Sequence, residues 1–169
     1  MPFRVDLSKV YNNLHPVQEC PFCQISAHQD KAVVVFEDSN YLAFMDKRPI
    51  NTGHTLVIPR KHYVNVMEMP REEVGQTFSL AAVISRAVVQ ATNADGINLG
   101  QNNGSAASQE VPHLHVHIIP RFIKEVKEGF WPRRKVTSLS ELQNVGERIR
   151  SELSKILLTR NSHSEKIIH

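Results

Sequence analysis

Residues 113–119 read His-Leu-His-Val-His-Ile-Ile, a pattern that an extended strand sorts into two clean faces. On a strand, His113, His115 and His117 share one side, at spacings of about 6.5–7 Å, while Leu114, Val116 and Ile118 share the other. The aliphatic side demands a covering layer, so the chain must build a sheet with something packed behind it. Imidazole is suited to proton transfer, nucleophilic attack and metal ligation near neutral pH. A row with this spacing does not converge on one ion unaided, because zinc–nitrogen bonds are only about 2.0–2.1 Å long. The three histidines are therefore expected to divide their work.

The rest of the chain supplies the sheet and its cover. Strand-like runs are expected at 32–37, 41–46, 54–59 and 97–102, besides 113–119. Asp38-Ser39-Asn40 reads as a tight turn between the first two. A short helical turn is expected at 21–27. The strongest helical periodicity covers about 70–93. There Val74, Phe78, Ala81, Ala82, Ser85, Val88 and Val89 recur at helical spacing, Pro70 fits the first turn, and Glu72 and Glu73 complement the N-terminal dipole. A last helix, about 140–158, carries Leu142, Val145, Ile149, Leu153 and Ile156 as its stripe, with Ser138 or Ser140 as cap. The expected fold is α+β: a bent antiparallel sheet of about five strands, the long helix packed on it, and a C-terminal helix. A chain of 169 residues, 41% hydrophobic and 22% charged, suffices for one such core. We divide it into an N-terminal arm (1–19), a catalytic domain (20–121), and a basic, aromatic C-terminal extension (122–169).

Cys20 and Cys23 are the only cysteines. A bridge this short would stabilise little, and no βαβ unit surrounds the pair to suggest thioredoxin-like redox chemistry. Two free thiols and two metal ligands both remain open on the residues alone. With His62 and His113 the pair makes a candidate Cys2His2 set, which suits tetrahedral zinc and leaves no open position, so such a site would be structural. The net charge of +3 favours anionic partners without demanding nucleic acid. No signal-length or membrane-length apolar run occurs, so the expected location is cytoplasmic, with no membrane partner.

The motif His113-Leu-His115-Val-His117-Ile-Ile resembles the signature of the histidine triad (HIT) family of nucleotide hydrolases and transferases. Leu42-Ala43-Phe44-Met45-Asp46, Gly53-His54-Thr55-Leu56-Val57-Ile58-Pro59-Arg60-Lys61-His62 and Gln109-Glu110-Val111-Pro112 resemble further family blocks in the expected order. The resemblance implies that His115 attacks the α-phosphate of a nucleotide to form a nucleotidyl-histidine, which water or another acceptor resolves. It implies a donor role for His117 near the phosphate and places His54 in the same polar cluster. It assigns Asp46 to the ribose, Asn102 to the phosphate region and Gln109 to the leaving side. Asn98 joins Asn102 on one strand face. By resemblance to zinc-bearing members, structural Zn2+ would be held by Cys20, Cys23, His62 and His113. The intact third histidine favours hydrolysis of phosphoramidates, adenylates or dinucleoside polyphosphates. A homodimer and a purine nucleotide are implied by the family, not by the residues.

Two positions depart from familiar members: Ser108 stands where glycine is usual, and Glu110 where serine or threonine is frequent. A carboxylate at 110 would repel a polyphosphate unless it faced away. The loop Gly104-Ser105-Ala106-Ala107-Ser108 has side chains small enough to let backbone approach a phosphate. Val35, Phe36, Phe44 and Ile50, with Phe22 and Ile25, are candidate walls of an apolar base pocket. In the tail, Lys124, Lys127, Arg133, Arg134 and Lys135 surround Phe130 and Trp131. The favoured reading is a solvated basic linker with one aromatic anchor, although a lysine or arginine there could reach a long polyphosphate. Nucleic acid is not expected as a partner. The alternatives are a non-catalytic nucleotide-binding scaffold and an enzyme acting on adenylated nucleic acid, which would bind DNA with strong salt dependence.

Overall fold

The computed structural model describes residues 20–125 and 134–164. The arm 1–19 and the tail residues Lys127, Phe130, Trp131 and Arg133 lie outside them. Eight elements follow in order: α1 (Pro21–Ser26), β1 (Val34–Glu37), β2 (Tyr41–Met45), β3 (Thr55–Pro59), α2 (Arg71–Thr92), β4 (Gly96–Gly100), β5 (Val116–Arg121) and α3 (Leu139–Ser164). The strands form one antiparallel sheet in the order β1-β2-β3-β5-β4, with a register shift between Val34 and Phe36 in β1. This is the expected α+β architecture.

Both faces of the sheet are covered, which is why every residue of β2 and β3 is buried. On one face Ala43, Met45, Val57, Val116 and Ile118 meet Ala81, Ile84, Ala87 and Val88 of α2. The stripe of α3, Leu142, Val145, Ile149, Leu153 and Ile156, joins that same core. Ser138 is the residue that caps α3, its Oγ accepting the Glu141 N–H at 3.2 Å. The α3 axis passes so close to β1 that a Cβ on Gly146 would stand 2.6 Å from Val33 Cγ1. On the other face Leu42, Phe44, Leu56 and Ile58 pack against Cys20, Phe22 and Ile25. The period of two therefore sends one set of side chains to the helices and the next set to α1.

α2 ends where Asn93 takes the left-handed conformation at φ 52°, which asparagine tolerates better than most residues. Several expected boundaries move. β5 begins at Val116, because its ladder to β3 starts at the Val57–Val116 pair, so His113 and His115 lie in the extended lead-in. Leu114 is held there by its N–H donating to Tyr63 O at 2.6 Å. β4 ends at Gly100, which puts Asn102 in the following loop and not on the strand with Asn98. β1 starts at Val34, β2 stops at Met45 and β3 starts at Thr55, each slightly inside the expected run.

Candidate active site

The imidazole face of 113–117 opens opposite the helices, and its members form two clusters. The first gathers Cys20 Sγ, Cys23 Sγ, His62 Nδ1 and His113 Nδ1, all within 4.8 Å of one another. Cys20 precedes α1 and Cys23 lies in its first turn, so a short helix brings both sulfurs to one side. His113 Nδ1 stands 3.4 Å from Cys20 Sγ and 3.5 Å from Cys23 Sγ, and His62 Nδ1 is 3.2 Å from Cys23 Sγ. The tautomer of His113 follows from its surroundings: Nε2–H donates to Pro59 O at 2.9 Å, which turns the Nδ1 lone pair toward the sulfurs. Burial and the adjacent Cys20 thiol push the Cys23 thiol up to about 12. A divalent ion among these donors would remove that penalty, and the set fits zinc in donor type, number and spacing.

The second cluster is His54, His115 and His117, with Asp46 at its rim. The loop that connects β2 to β3 is fixed first. Gly53 adopts φ +95°, and a Cβ there would meet Thr92 Cγ2 at 2.6 Å. The fully buried Asn51 donates to Pro120 O at 2.9 Å. This presents the Ile50 N–H to His54 Nδ1 at 3.2 Å. His54 Nδ1 is then the acceptor, so Nε2 carries the proton and donates to His117 Nδ1, 3.0 Å away. His117 in turn keeps its proton on Nε2. His115 is set in the opposite sense. Its Nδ1–H donates to His113 O at 2.7 Å, leaving the Nε2 lone pair available. One cluster thus ends in a proton donor and a nucleophilic nitrogen on adjacent rings, whose centroids are 4.7 Å apart.

Burial keeps these rings neutral. It is the largest influence on each, lowering His54 to about 4 and His117 to about 3, and lowering His115 as well. Neighbouring imidazoles and the Arg134 guanidinium push His54 and His117 in the same direction, whereas Asp46 opposes the shift. At neutral pH His115 therefore offers an unprotonated nitrogen.

A cleft leads to these rings, lined among others by Phe22, Ile25, Phe44, Leu56, Asp46 and His115. Of the expected base-pocket walls, Phe22, Ile25 and Phe44 stand here. Val35 does not: it belongs to the helix-side core, because strand alternation turns Val34 and not Val35 toward α1. Phe36 packs partly against that core, and Ile50 lines a second cavity. That second cavity holds Asn98, Asn102, Ala107, Ser108 and His117. Asn98 also accepts a hydrogen bond from Arg121 Nη1 at 2.9 Å. Gln109 lies apart from both, with Oε1 accepting the Gly104 N–H (2.7 Å) and Nε2 donating to Val64 O (2.6 Å) and Val111 O (3.1 Å). Its visible work is to hold the loop.

Two features escaped the sequence reading. Arg134 is not part of a solvated linker: its Nη1 donates to Asp46 Oδ2 at 2.9 Å and to Arg48 O at 3.0 Å. Glu110 does not face the cleft as a bare carboxylate, since Arg48 Nη2 donates to it at 2.7 Å and Arg134 Nη2 stands 3.7 Å away. The run Arg133-Arg134-Lys135 was the available signal, being cationic where Asp46 and Glu110 are anionic. Its long-range docking was invisible. Lys135 N–H donates to Pro49 O at 2.7 Å and completes that docking. Asp46, His54 and His117 also lie close enough to form a second three-residue group of potential ligand atoms. Their lone pairs are already engaged by Arg134, by Ile50 and by each other.

A five-stranded antiparallel sheet whose β5 and its extended lead-in present three alternating histidines, the middle one with its Nε2 lone pair turned to the cleft and the third linked to an upstream histidine, defines a histidine-triad protein. The HIT domain model matches residues 27–124, and the chain belongs to that family. It is 41% identical to an adenylylsulfatase of Arabidopsis thaliana, over 61% of this chain and 52% of that protein. It is 34% identical to an adenosine 5′-monophosphoramidase of Schizosaccharomyces pombe, over 79% of this chain and 98% of that one. Among solved structures it is similar to a zinc-bound histidine triad family protein from Mycobacterium smegmatis, with 33% identity, a TM-score of 0.73, and coverage of 85% of this chain and 99% of the other. No described helix is long and apolar enough to cross a membrane.

Proposed function

We propose that this protein hydrolyses nucleotides at the α-phosphate through a nucleotidyl-histidine on His115. The observation that carries the reading is the pair of opposed tautomers: a His115 Nε2 lone pair beside a His117 Nε2–H, each fixed by its hydrogen-bond partner. The nucleoside enters the apolar cleft against Phe22, Ile25, Phe44 and Leu56, with the ribose hydroxyls toward Asp46. The Nε2 lone pair forms a bond to phosphorus while the bond to the leaving group breaks. His117 donates to the phosphoryl or leaving atom, and His54 keeps it in that tautomer. Water then attacks phosphorus and gives up a proton, to His117 where that ring has protonated the leaving atom and otherwise to solvent, the P–N bond breaks, and the nucleoside monophosphate departs with the His115 lone pair restored. Splitting one displacement into two lets neutral imidazole do work that a single water attack does slowly. Adenosine substrates are supported by the relatives named for adenylyl sulfate and adenosine phosphoramidate cleavage.

In the same reading Cys20, Cys23, His62 and His113 hold zinc. With four protein ligands the ion has no position for substrate, so it supplies structure by joining α1, the loop after β3 and the lead-in to β5. We further expect a homodimer. β4 is an edge strand and leaves Leu99 41% exposed, which suits sheet continuation across two copies.

The test is turnover of adenosine 5′-phosphoramidate and diadenosine tetraphosphate by the native protein and by His115→Ala. AMP release that the substitution abolishes, with one nucleotidyl group found by mass on the His115 peptide after rapid quenching, supports the reading. Binding without product by the folded native protein would instead favour a nucleotide-binding scaffold.

A further inference from the structure

We infer that Arg134 is a specificity-determining residue that receives a leaving group departing as an oxyanion, such as a sulfate, carboxylate or polyphosphate. This rests on the nucleotidyl-histidine reading above. Displacement at phosphorus is in line, so the leaving group exits on the side opposite His115 Nε2. His115 lines the apolar cleft and is absent from the second cavity, whereas His117 and Arg134 line both. The phosphoryl group therefore sits at the shared border, and the second cavity is where the leaving group goes. That cavity is built from Asn98, Gly100, Asn102 and Ser108, and Arg134 is the charged side chain among its described lining residues.

Arg134 is poised for the task. Nη1 is anchored on Asp46 Oδ2 and Arg48 O. Nη2 stands 3.7 Å from Glu110 Oε1, beyond hydrogen-bond reach, and Glu110 has its own closer partner in Arg48 at 2.7 Å. The guanidinium is thus aimed by two carboxylates without its donors being exhausted by the described residues. Glu110, which on sequence grounds would repel an anionic chain, becomes part of the bracket that aims the cation. The chemistry then discriminates between leaving groups. When His115 Nε2 attacks adenosine 5′-phosphosulfate, the P–O bond breaks and sulfate takes the electron pair, needing no proton. When it attacks adenosine 5′-phosphoramidate, the P–N bond breaks and nitrogen must gain a proton to leave. A fixed cation stabilises the first product and gives nothing comparable to the second.

The test compares these two substrates, which share everything but the leaving group. In Arg134→Ala, kcat/KM for the phosphosulfate should fall at least about ten-fold more than for the phosphoramidate, and Arg134→Lys should recover part of that difference. The same comparison is made as Kd in a His115→Ala background, where neither substrate is consumed. The phosphosulfate should again lose about ten-fold more affinity. Equal losses for both substrates, in turnover or in Kd, would overturn the inference and leave Arg134 a support for Asp46. Failure of the native protein to turn over either substrate would count against the covalent mechanism. The Kd comparison would still decide the role of Arg134.

Discussion

The two histidine clusters sit side by side on one stretch of chain, yet their hydrogen bonds point them to opposite uses. In the Cys20–Cys23–His62–His113 group the lone pairs converge inward, because Pro59 O takes the outward N–H of His113. In the His54–His115–His117 group the partners sit behind the rings, at Ile50 N and His113 O, and the active nitrogens are left for the cleft. His113 links the two: its side chain belongs to the first, and its carbonyl sets the tautomer of the second. Residue type does not decide where an imidazole lone pair points. The partner of the second ring nitrogen does.

Four experiments break or sharpen that contrast. The largest effect should come from His115→Ala: loss of turnover by at least about a thousand-fold with little change in thermal stability, measured by kinetics and calorimetry on the same sample. A matching fall in Tm would mean the second cluster is also structural. Next, Cys23→Ser should release the proposed zinc and lower unfolding free energy by roughly 3–5 kcal/mol, read by metal analysis and denaturant titration. If stability and metal content are unchanged, the first cluster is a pair of free thiols.

The third experiment tests the relay. His54→Ala should cost about 10–100-fold in kcat, and His54→Gln less, because the glutamine amide can still donate toward His117 Nδ1. The same residue gives a pH signature. His54 and His117 ordinarily titrate at 6.5 but fall to about 4 and about 3 in the folded protein, so the unfolded chain binds more protons between these values. Their contribution to stability is whole above about 6.5 and is lost as pH falls toward 4 to 3. The slope should flatten in His54→Gln, and an unchanged slope would assign the acid sensitivity elsewhere. The smallest effect is a control remote from both clusters. Gly146→Ala, where α3 meets Val33, should cost about 1–2 kcal/mol in stability and leave kcat unaltered, since it perturbs only the helix-side core.

Much of this molecule was legible from the chain. Apolar runs bounded by turn residues, and period-two alternation at 113–119, located five strands to within a few residues, and period 3.6 located the two long helices, because local backbone geometry decides both. The motif at 113–117 singled out the chemistry-bearing face. Alternation could not say which of Val34 and Val35 turns toward α1, since both are aliphatic on a strand covered on two sides. It did not distinguish a strand from its extended lead-in, because ladder pairing depends on the partner strand.

What only the tertiary structure decided is where distant polar atoms meet. Asp46 lies 88 residues from Arg134, and His54 lies 63 from His117. A carboxylate expected to be free for a ribose is found holding a guanidinium. A basic tail expected to be solvated supplies that guanidinium, and a misplaced Glu110 turns out to be charge-compensated. Such pairings carry no period and no local propensity. They arise because burial forces each polar group to find a partner, and the fold alone determines which partners come within reach.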